Sequence, residues 1–79
     1  DGRRLREYRY AVLGREKLDT ELGALETLHV KRLQGPEDKR AFDVWLAVDQ
    51  HNMPVRIRYT EKDGTVFDSV ATKITFADK

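Results

Sequence analysis

Hydrophobic and polar residues alternate with a period of two along most of this chain, which is the pattern of β-strands whose two faces meet different environments. The alternation predicts five strands, separated by segments rich in Gly, Pro, Asp and Asn. Their ranges are Leu5–Leu13 (resuming over Arg15–Leu18 after a bulge at Gly14), Leu25–Leu33, Phe42–Val48, Val55–Thr60 and Thr65–Phe76. The sequence therefore predicts an all-β fold, an antiparallel meander of about five strands that forms a half-open sheet or a partial barrel.

The connecting segments carry turn chemistry. Asp19–Gly23 reads as a turn because Asp favours turn starts and Gly accepts a positive φ, and Lys62–Gly64 contains the Asp-Gly signal of a tight hairpin. Gln34–Lys39 reads as a loop. A helix competes only over Thr20–Leu28, where three leucines are spaced by three, and Gly23 argues against it.

The third predicted strand carries large side chains on both faces, which places it at the centre of the sheet. We expect the core to lie on the face of this strand that carries Phe42, and to include the apolar alternations of the fourth and fifth strands. The predicted core residues are Phe42, Val44, Leu46, Val55, Ile57, Tyr59, Val66, Val70 and Ile74.

Trp45 then points to the opposite face of the same strand, together with Ala41 and Ala47. Two apolar faces on one strand imply a second covering layer, which a short meander can hardly supply. Three readings stay open: a partner domain covers Trp45, an apolar ligand covers it, or it is an ordinary exposed tryptophan. We assign Tyr10, Trp45 and Met53 to the candidate ligand-binding or docking face.

Composition limits the classes of function. The chain has 79 residues, enough for a single β domain over 1–79, and buries only about 60% of its unfolded surface. Lys+Arg is 15 and Asp+Glu is 14, a net charge of +1, which disfavours a nucleic-acid-binding protein even though arginines cluster with tyrosines near the start. Cysteine is absent, which removes disulfides and thiolate chemistry, and no apolar run approaches the roughly 20 residues of a membrane helix.

No motif for catalysis or for cofactor binding stands out. His29 and His51 lack the paired spacing of metal ligands, so we expect no metal site. Ser69 has no nucleophile elbow around it, and the glycines are too scattered for a phosphate-binding loop. Arg56 and Arg58 are expected on a solvated strand face, paired with acids on a neighbouring strand. We expect a protein that is not an enzyme and that uses no cofactor.

The chain also resembles a known family. The run Gly14-Arg15-Glu16-Lys17-Leu18-Asp19-Thr20-Glu21-Leu22-Gly23-Ala24-Leu25-Glu26-Thr27-Leu28-His29-Val30 resembles a signature of the bacterial domain of unknown function family DUF3108. A second block is similar to the family's closing half. It comprises 43–47, 54–58 and 61–64.

The resemblance implies that the chain is the C-terminal part of a longer periplasmic or exported protein, in which a β-rich N-terminal half is the natural partner. The steps Trp45-Leu46 and Pro54-Val55-Arg56 are also distantly similar to bacterial lipoprotein carriers, which hold acyl chains in an incomplete β-barrel. This likeness implies that the domain binds an acyl chain or a lipoprotein. The alternative is a structural module that docks on a partner domain or on a second copy of itself.

Overall fold

The computed structural model describes residues 9–35 and 38–75, and they form one five-stranded sheet. The strands are β1 (Arg9–Thr20), β2 (Gly23–Leu33), β3 (Ala41–Ala47), β4 (Met53–Thr60) and β5 (Val66–Val70). The sheet order is β1-β2-β3-β4-β5, and every neighbouring pair is antiparallel. The predicted all-β meander is confirmed as an open sheet. The predicted strand residues 5–8 and 76 and the loop residues 36 and 37 lie outside the described ranges.

The hairpin turns follow from their local sequence. Gly23 has a φ of 100° and Gly64 a φ of 94°, so both occupy the left-handed region that glycine adopts at low cost. Between β3 and β4, His51 and Asn52 both have a φ of 58°, and the Met53 amide donates a hydrogen bond to the Gln50 carbonyl at 3.1 Å. Two successive positive φ angles are the geometry of a tight hairpin turn whose twist matches that of the strands. Residues 20–28 form the end of β1, a turn and the first part of β2, so the competing helix does not form there.

Two bulges decide which side chains share a face. In β1 the register shifts between Val12 and Gly14, as the sequence predicts. A second shift lies between β3 and β4, where Trp45 pairs with Arg56 and the next residue of β3 pairs with Pro54. Val55 is the extra residue of this bulge and packs on the same side of the sheet as Trp45.

The register defines two faces of the sheet. We call one the Trp45 face, formed by Glu16, Leu18, Leu25, Thr27, His29, Lys31, Asp43, Trp45, Ala47, Val55, Arg56, Arg58, Val66, Asp68 and Val70. We call the other the Val44 face, formed by Tyr10, Val12, Arg15, Lys17, Glu26, Leu28, Val30, Arg32, Phe42, Val44, Leu46, Pro54, Ile57, Tyr59, Phe67 and Ser69.

The core lies on the Trp45 face, not on the predicted one. Each buried residue in the described part of the chain belongs to that face, and the set is Leu18, Thr27, Asp43, Trp45, Ala47 and Val55. Of the predicted core, only Val55 is buried, whereas Ile57, Val66 and Val70 are exposed. The prediction was wrong because the bulge moves Val55 away from Ile57, and a period-two reading cannot detect such a shift.

The segment after β5 covers part of the Trp45 face. The strand ends at Val70, earlier than predicted, and the Ala71 amide donates a hydrogen bond to the Val55 carbonyl at 2.7 Å. Ala71 and Ile74 then pack against the buried cluster. The last described residues of the chain thus cover the part of the Trp45 face where the buried cluster lies.

Candidate functional site

Trp45 is the centre of a polar and aromatic cluster on the Trp45 face. Its side chain is 2% exposed, and the His29 ring stacks on it with a centroid distance of 4.2 Å and an interplanar angle of 13°. The guanidinium carbons of Arg56 and Arg58 lie over the indole at 4.7 and 5.5 Å from its centroid. The indole Nε1 donates a hydrogen bond to Glu16 Oε1 at 3.1 Å, so the buried polar atom is satisfied.

Strand register explains this arrangement. Trp45 pairs with His29 on β2 and with Arg56 on β4, so its two flanking groups come from the strands on its two sides. Thr27, which is fully buried, lies one pleat away and donates its hydroxyl hydrogen to the Glu16 carbonyl at 2.6 Å. Directly opposed residues on antiparallel strands have neighbouring side chains, which brings these groups together.

A row of alternating charges crosses the sheet beside Trp45. Lys31, Asp43, Arg58 and Asp68 pair successively across β2, β3, β4 and β5. Asp43 Oδ1 lies 2.8 Å from His29 Nε2, and Asp43 Oδ2 lies 3.9 Å from Lys31 Nζ. Asp43 has a base on either side and Asp68, on the edge strand β5, has Arg58 beside it, so the charges compensate one another on a partly buried surface.

Asp68 is held by two arginines. Arg56 donates from Nε to Oδ1 at 3.0 Å and from Nη2 to Oδ2 at 2.8 Å, and Arg58 Nε donates to Oδ2 at 3.2 Å. These hydrogen bonds, those from Arg56 first, lower the pKa of Asp68 from its usual 3.8 to about 2. Asp68 in turn raises the pKa of Arg56. The predicted pairing of the β4 arginines with an acid on a neighbouring strand is confirmed, whereas their predicted solvated face is wrong, because both lie over Trp45 on the packed face.

The ion pairs between Asp68 and the two arginines predict that the stability of the fold decreases at acidic pH. Because the pKa of Asp68 is lower in the folded chain than in the unfolded one, its contribution is complete above about pH 4 and is lost as the pH falls toward about 2. Solvent screening limits this contribution to about 1 kcal/mol. In urea unfolding from pH 5 to pH 2, Asp68→Asn should be less stable than the wild type at pH 5, and most of that difference should be lost by pH 2.

Asp49→Asn, in the exposed turn after β3, is the matched control and should follow the wild type throughout. If Asp68→Asn and the wild type differ by the same amount at pH 5 and at pH 2, the ion pairs do not cause the difference.

The Trp45 cluster is a closed packing layer. Among the residues that the structure describes, no group of three or more His, Asp or Glu side chains converges to hold a metal ion. The His29 ring is engaged on one face by the indole and at Nε2 by Asp43, and the indole N–H is engaged by Glu16. This cluster therefore organises the sheet.

The middle of the Val44 face is apolar and uncovered, and charged residues of β1 and β2 lie at its margin. Its middle row runs Val12, Val30, Val44 and Ile57 across four strands, and a second row pairs Leu28 with Leu46. A third row joins Phe42, Tyr59 and Phe67 across β3, β4 and β5. Tyr10, Val12, Ile57 and Phe67 are exposed, and the remaining members are half-buried.

The area of this face helps to decide what can bind it. Strands about 4.8 Å apart and rows about 6.8 Å apart give a projected area on the order of 400 Å². Apolar patches of that size are often functional in soluble proteins. A stable protein–protein interface needs about 800 Å² from each partner, which is roughly twice as much.

The three candidate residues from the sequence lie in different places. Trp45 is buried on the Trp45 face, and Met53, which pairs with Ala47, is half-buried on that same side. Tyr10 is 53% exposed and lies on the Val44 face, where it pairs with Arg32 of β2. The structure thus groups Trp45 with Met53 and separates both from Tyr10. Whether any of them contacts a ligand or a partner stays a prediction.

Sequence reasoning missed the roles of Glu16 and His29, since it considered Glu16 as part of the family-like run and His29 as a possible metal ligand. The signal was present as spacing. Alternate residues of the run that resembles the family signature, from Glu16 to Thr20 and from Leu25 to His29, all fall on the Trp45 face. That regular spacing marks the residues that surround Trp45.

The fold and the two faces define a small open β-sheet protein with one packed face and one uncovered apolar face. Residues 1–71 match the model of a protein family described as "Protein of unknown function (DUF3108)", and the chain belongs to that family. The comparisons with curated proteins and with solved structures gave no significant match. Within the described ranges, the structure contains no helix of the length and apolarity that crossing a membrane requires.

Proposed function

We propose that this domain is a non-catalytic binding module of the bacterial cell envelope, periplasmic or exported, whose Val44 face holds the acyl chain of a lipid or of a lipoprotein. The observation that carries the proposal is the contrast between the faces: each buried residue of the described chain lies on the Trp45 face, while rows of Val, Leu and aromatic side chains remain open on the other. An uncovered apolar surface of this kind is stabilised by an apolar ligand.

The expected affinity is modest. A buried methylene group contributes about 0.8 kcal/mol, so burying half of a sixteen-carbon chain against the Val44 face supplies about 6 kcal/mol. That free energy corresponds to a dissociation constant on the order of 10–100 μM. An open sheet contacts an acyl chain on one side only. Such a site suits a protein that transfers its ligand better than a protein that stores it.

The test is a titration with a fluorescent fatty acid, in which the emission of the probe itself is measured because Trp45 lies on the opposite face. Phe67→Ser and Val66→Ser form a matched pair: the two residues are neighbours on β5, are 55% and 54% exposed, and point to opposite faces. Phe67→Ser should weaken binding about fivefold to tenfold, because it removes an aromatic contact from the Val44 face.

Val66→Ser should stay within about twofold of the wild type, since its side chain is on the other side of the sheet. Equal losses in the two variants would indicate a general effect on β5. The absence of saturable binding to the wild type would sink the proposal.

A second candidate is supported by the open apolar rows of the Val44 face, against which another sheet could pack about 10 Å away. The partner would be a β-rich domain or a second copy of this chain. A dimer that Phe67→Ser dissociates, in light scattering with the chain at high micromolar concentration, would favour this candidate over the acyl-chain proposal.

A further inference from the structure

A cleft lined by five charged residues and one tyrosine lies at one end of the Val44 face. It has a volume of about 550 Å³ and lies between the segment before β3 and the hairpin that joins β4 to β5. Its lining residues are Asp38, Lys39, Arg40, Tyr59, Glu61 and Lys62. Nothing described so far uses this cleft.

The cleft contains two acids, Asp38 and Glu61, and the side chain of Asp38 is paired with arginines. Asp38 accepts hydrogen bonds from the Arg40 amide at 2.9 Å and from Arg40 Nε at 3.0 Å, and Arg32 Nη2 lies 3.5 Å from its other oxygen. The hydrogen bonds from Arg40 keep the pKa of Asp38 below its usual value, so it remains an anion. Its charge is therefore committed to these two arginines.

The remaining charges of the cleft are positive on balance. Lys39 and Lys62 are exposed and stand against the single carboxylate of Glu61. Glu61 closes the hairpin through its backbone, which accepts from the Gly64 amide at 2.9 Å and donates to the Thr65 carbonyl at 2.8 Å. Lysine ammonium groups are compact point charges that suit phosphate oxygens.

Tyr59 joins the cleft to the apolar face. It lines the cleft, and in the sheet it lies between Phe42 and Phe67. Tyrosine has an apolar ring and a polar tip, which suits the boundary between a hydrocarbon chain and a charged head group. The occupant that matches both surfaces is an amphipathic anion, with its chain over the Val44 face and its charge in the cleft.

We propose that this cleft binds the phosphate of a lipid head group, so that a bound lipid lies along the sheet with its head between Lys39 and Lys62. This inference rests on the proposed function, because the cleft orients a chain that the Val44 face holds. It goes further in naming the head-group chemistry and the direction of the bound lipid.

Three probes separate the chain from the charge: hexadecyl phosphate carries both, hexadecanol carries only the chain, and inorganic phosphate carries only the charge. Each is titrated by displacement of a fluorescent fatty acid, and by NMR of the amides around Lys39 and Lys62, at constant salt. The wild type should bind hexadecyl phosphate about fivefold more tightly than hexadecanol, the contribution of two partly exposed charge pairs. Inorganic phosphate should bind far more weakly than hexadecyl phosphate.

The double variant Lys39→Gln/Lys62→Gln should reduce that preference to within about twofold and leave hexadecanol binding unchanged. The control Lys31→Gln/Lys73→Gln makes the same change of net charge outside the cleft lining, with Lys31 on the Trp45 face, and should keep the preference. An equal loss in the control would assign the effect to net charge and overturn the inference.

The outcomes also distinguish the inference from the proposed function. If hexadecanol binds and hexadecyl phosphate binds no better, the head-group site is wrong while the acyl-chain proposal stands. If neither chain probe binds, both are wrong. If inorganic phosphate binds as tightly as hexadecyl phosphate, the cleft is a site for free phosphate and the lipid assignment is overturned.

Discussion

Trp45→Ala should strongly lower the free energy of unfolding of this domain. Trp45 is 2% exposed and contacts Leu18, Ala47 and Val55 in the buried cluster. Truncation of a buried Trp costs about 3–5 kcal/mol through lost burial and the cavity that remains. A folded chain of this length has a total stability of about 4–12 kcal/mol, so the loss removes much of it. Circular dichroism melts and urea titration measure the effect.

Trp45→Phe is the control that separates packing from the polar contacts. It keeps an aromatic ring beside His29 but removes the indole N–H that donates to Glu16. We expect a cost of about 1–2 kcal/mol, the size of a lost hydrogen bond plus a small cavity, with the fold retained. A Trp45→Ala variant that melts within a few degrees of the wild type would show that Trp45 is not the centre of the core.

Val55→Ala and Ile57→Ala should have clearly different effects on stability, although simple alternation puts both residues on one face. Val55 is 1% exposed on the Trp45 face and Ile57 is 39% exposed on the Val44 face. Val55→Ala should cost about 2–3 kcal/mol because it opens a cavity in the cluster, whereas Ile57→Ala should cost about 1 kcal/mol or less. The free energy of unfolding in urea gives both values.

The comparison tests the bulge directly, since the bulge alone places the two residues on opposite faces. If Ile57→Ala lowers the free energy of unfolding as much as Val55→Ala does, Ile57 is buried in solution. That result would contradict both the uncovered Val44 face and the register of β4. Slopes of the urea titrations should be equal in both variants, because a changed slope would indicate a changed unfolded state.

The strands and hairpins could be predicted because their signals are local. Alternation marks β2, β3 and β4, and Asp63-Gly64 marks the last hairpin, where Gly64 has the positive φ that the turn requires. The meander follows from the short connections between consecutive strands. These features depend on residues within a few positions of one another.

The choice of face could not be predicted, because it depends on one inserted residue and on a segment that folds back. Val55 changes sides at the β3–β4 bulge, and Ala71 and Ile74 leave the strand to cover the Trp45 face. Phe42, Val44 and Leu46 looked like a core because they are bulky and alternate, yet they belong to the uncovered face. Alternation shows that two faces differ, but it does not show which one the rest of the chain covers.

The candidate site was only partly accessible from the sequence for the same reason. The sequence indicated that one strand has apolar side chains on both faces and that something must cover the second. It assigned the uncovered side to Trp45, whereas the surroundings of that residue depend on pairing with His29 and Arg56 from other strands. The cleft beside Tyr59 depends on two loops that lie close together at one end of the sheet. Because these loops are far apart in the sequence, no local pattern predicts their contact.

The most direct test of a binding surface on the Val44 face is a methyl NMR titration of the wild-type chain with palmitate. We expect saturable changes in the chemical shifts of the methyl groups of Val12, Val30, Val44, Leu46 and Ile57. The methyl shifts of Leu18, Leu25 and Val55 should stay unchanged. Saturable shifts centred on Leu18 and Val55 would place the ligand on the Trp45 face and contradict the account. Spectra that do not change up to millimolar palmitate would contradict it equally.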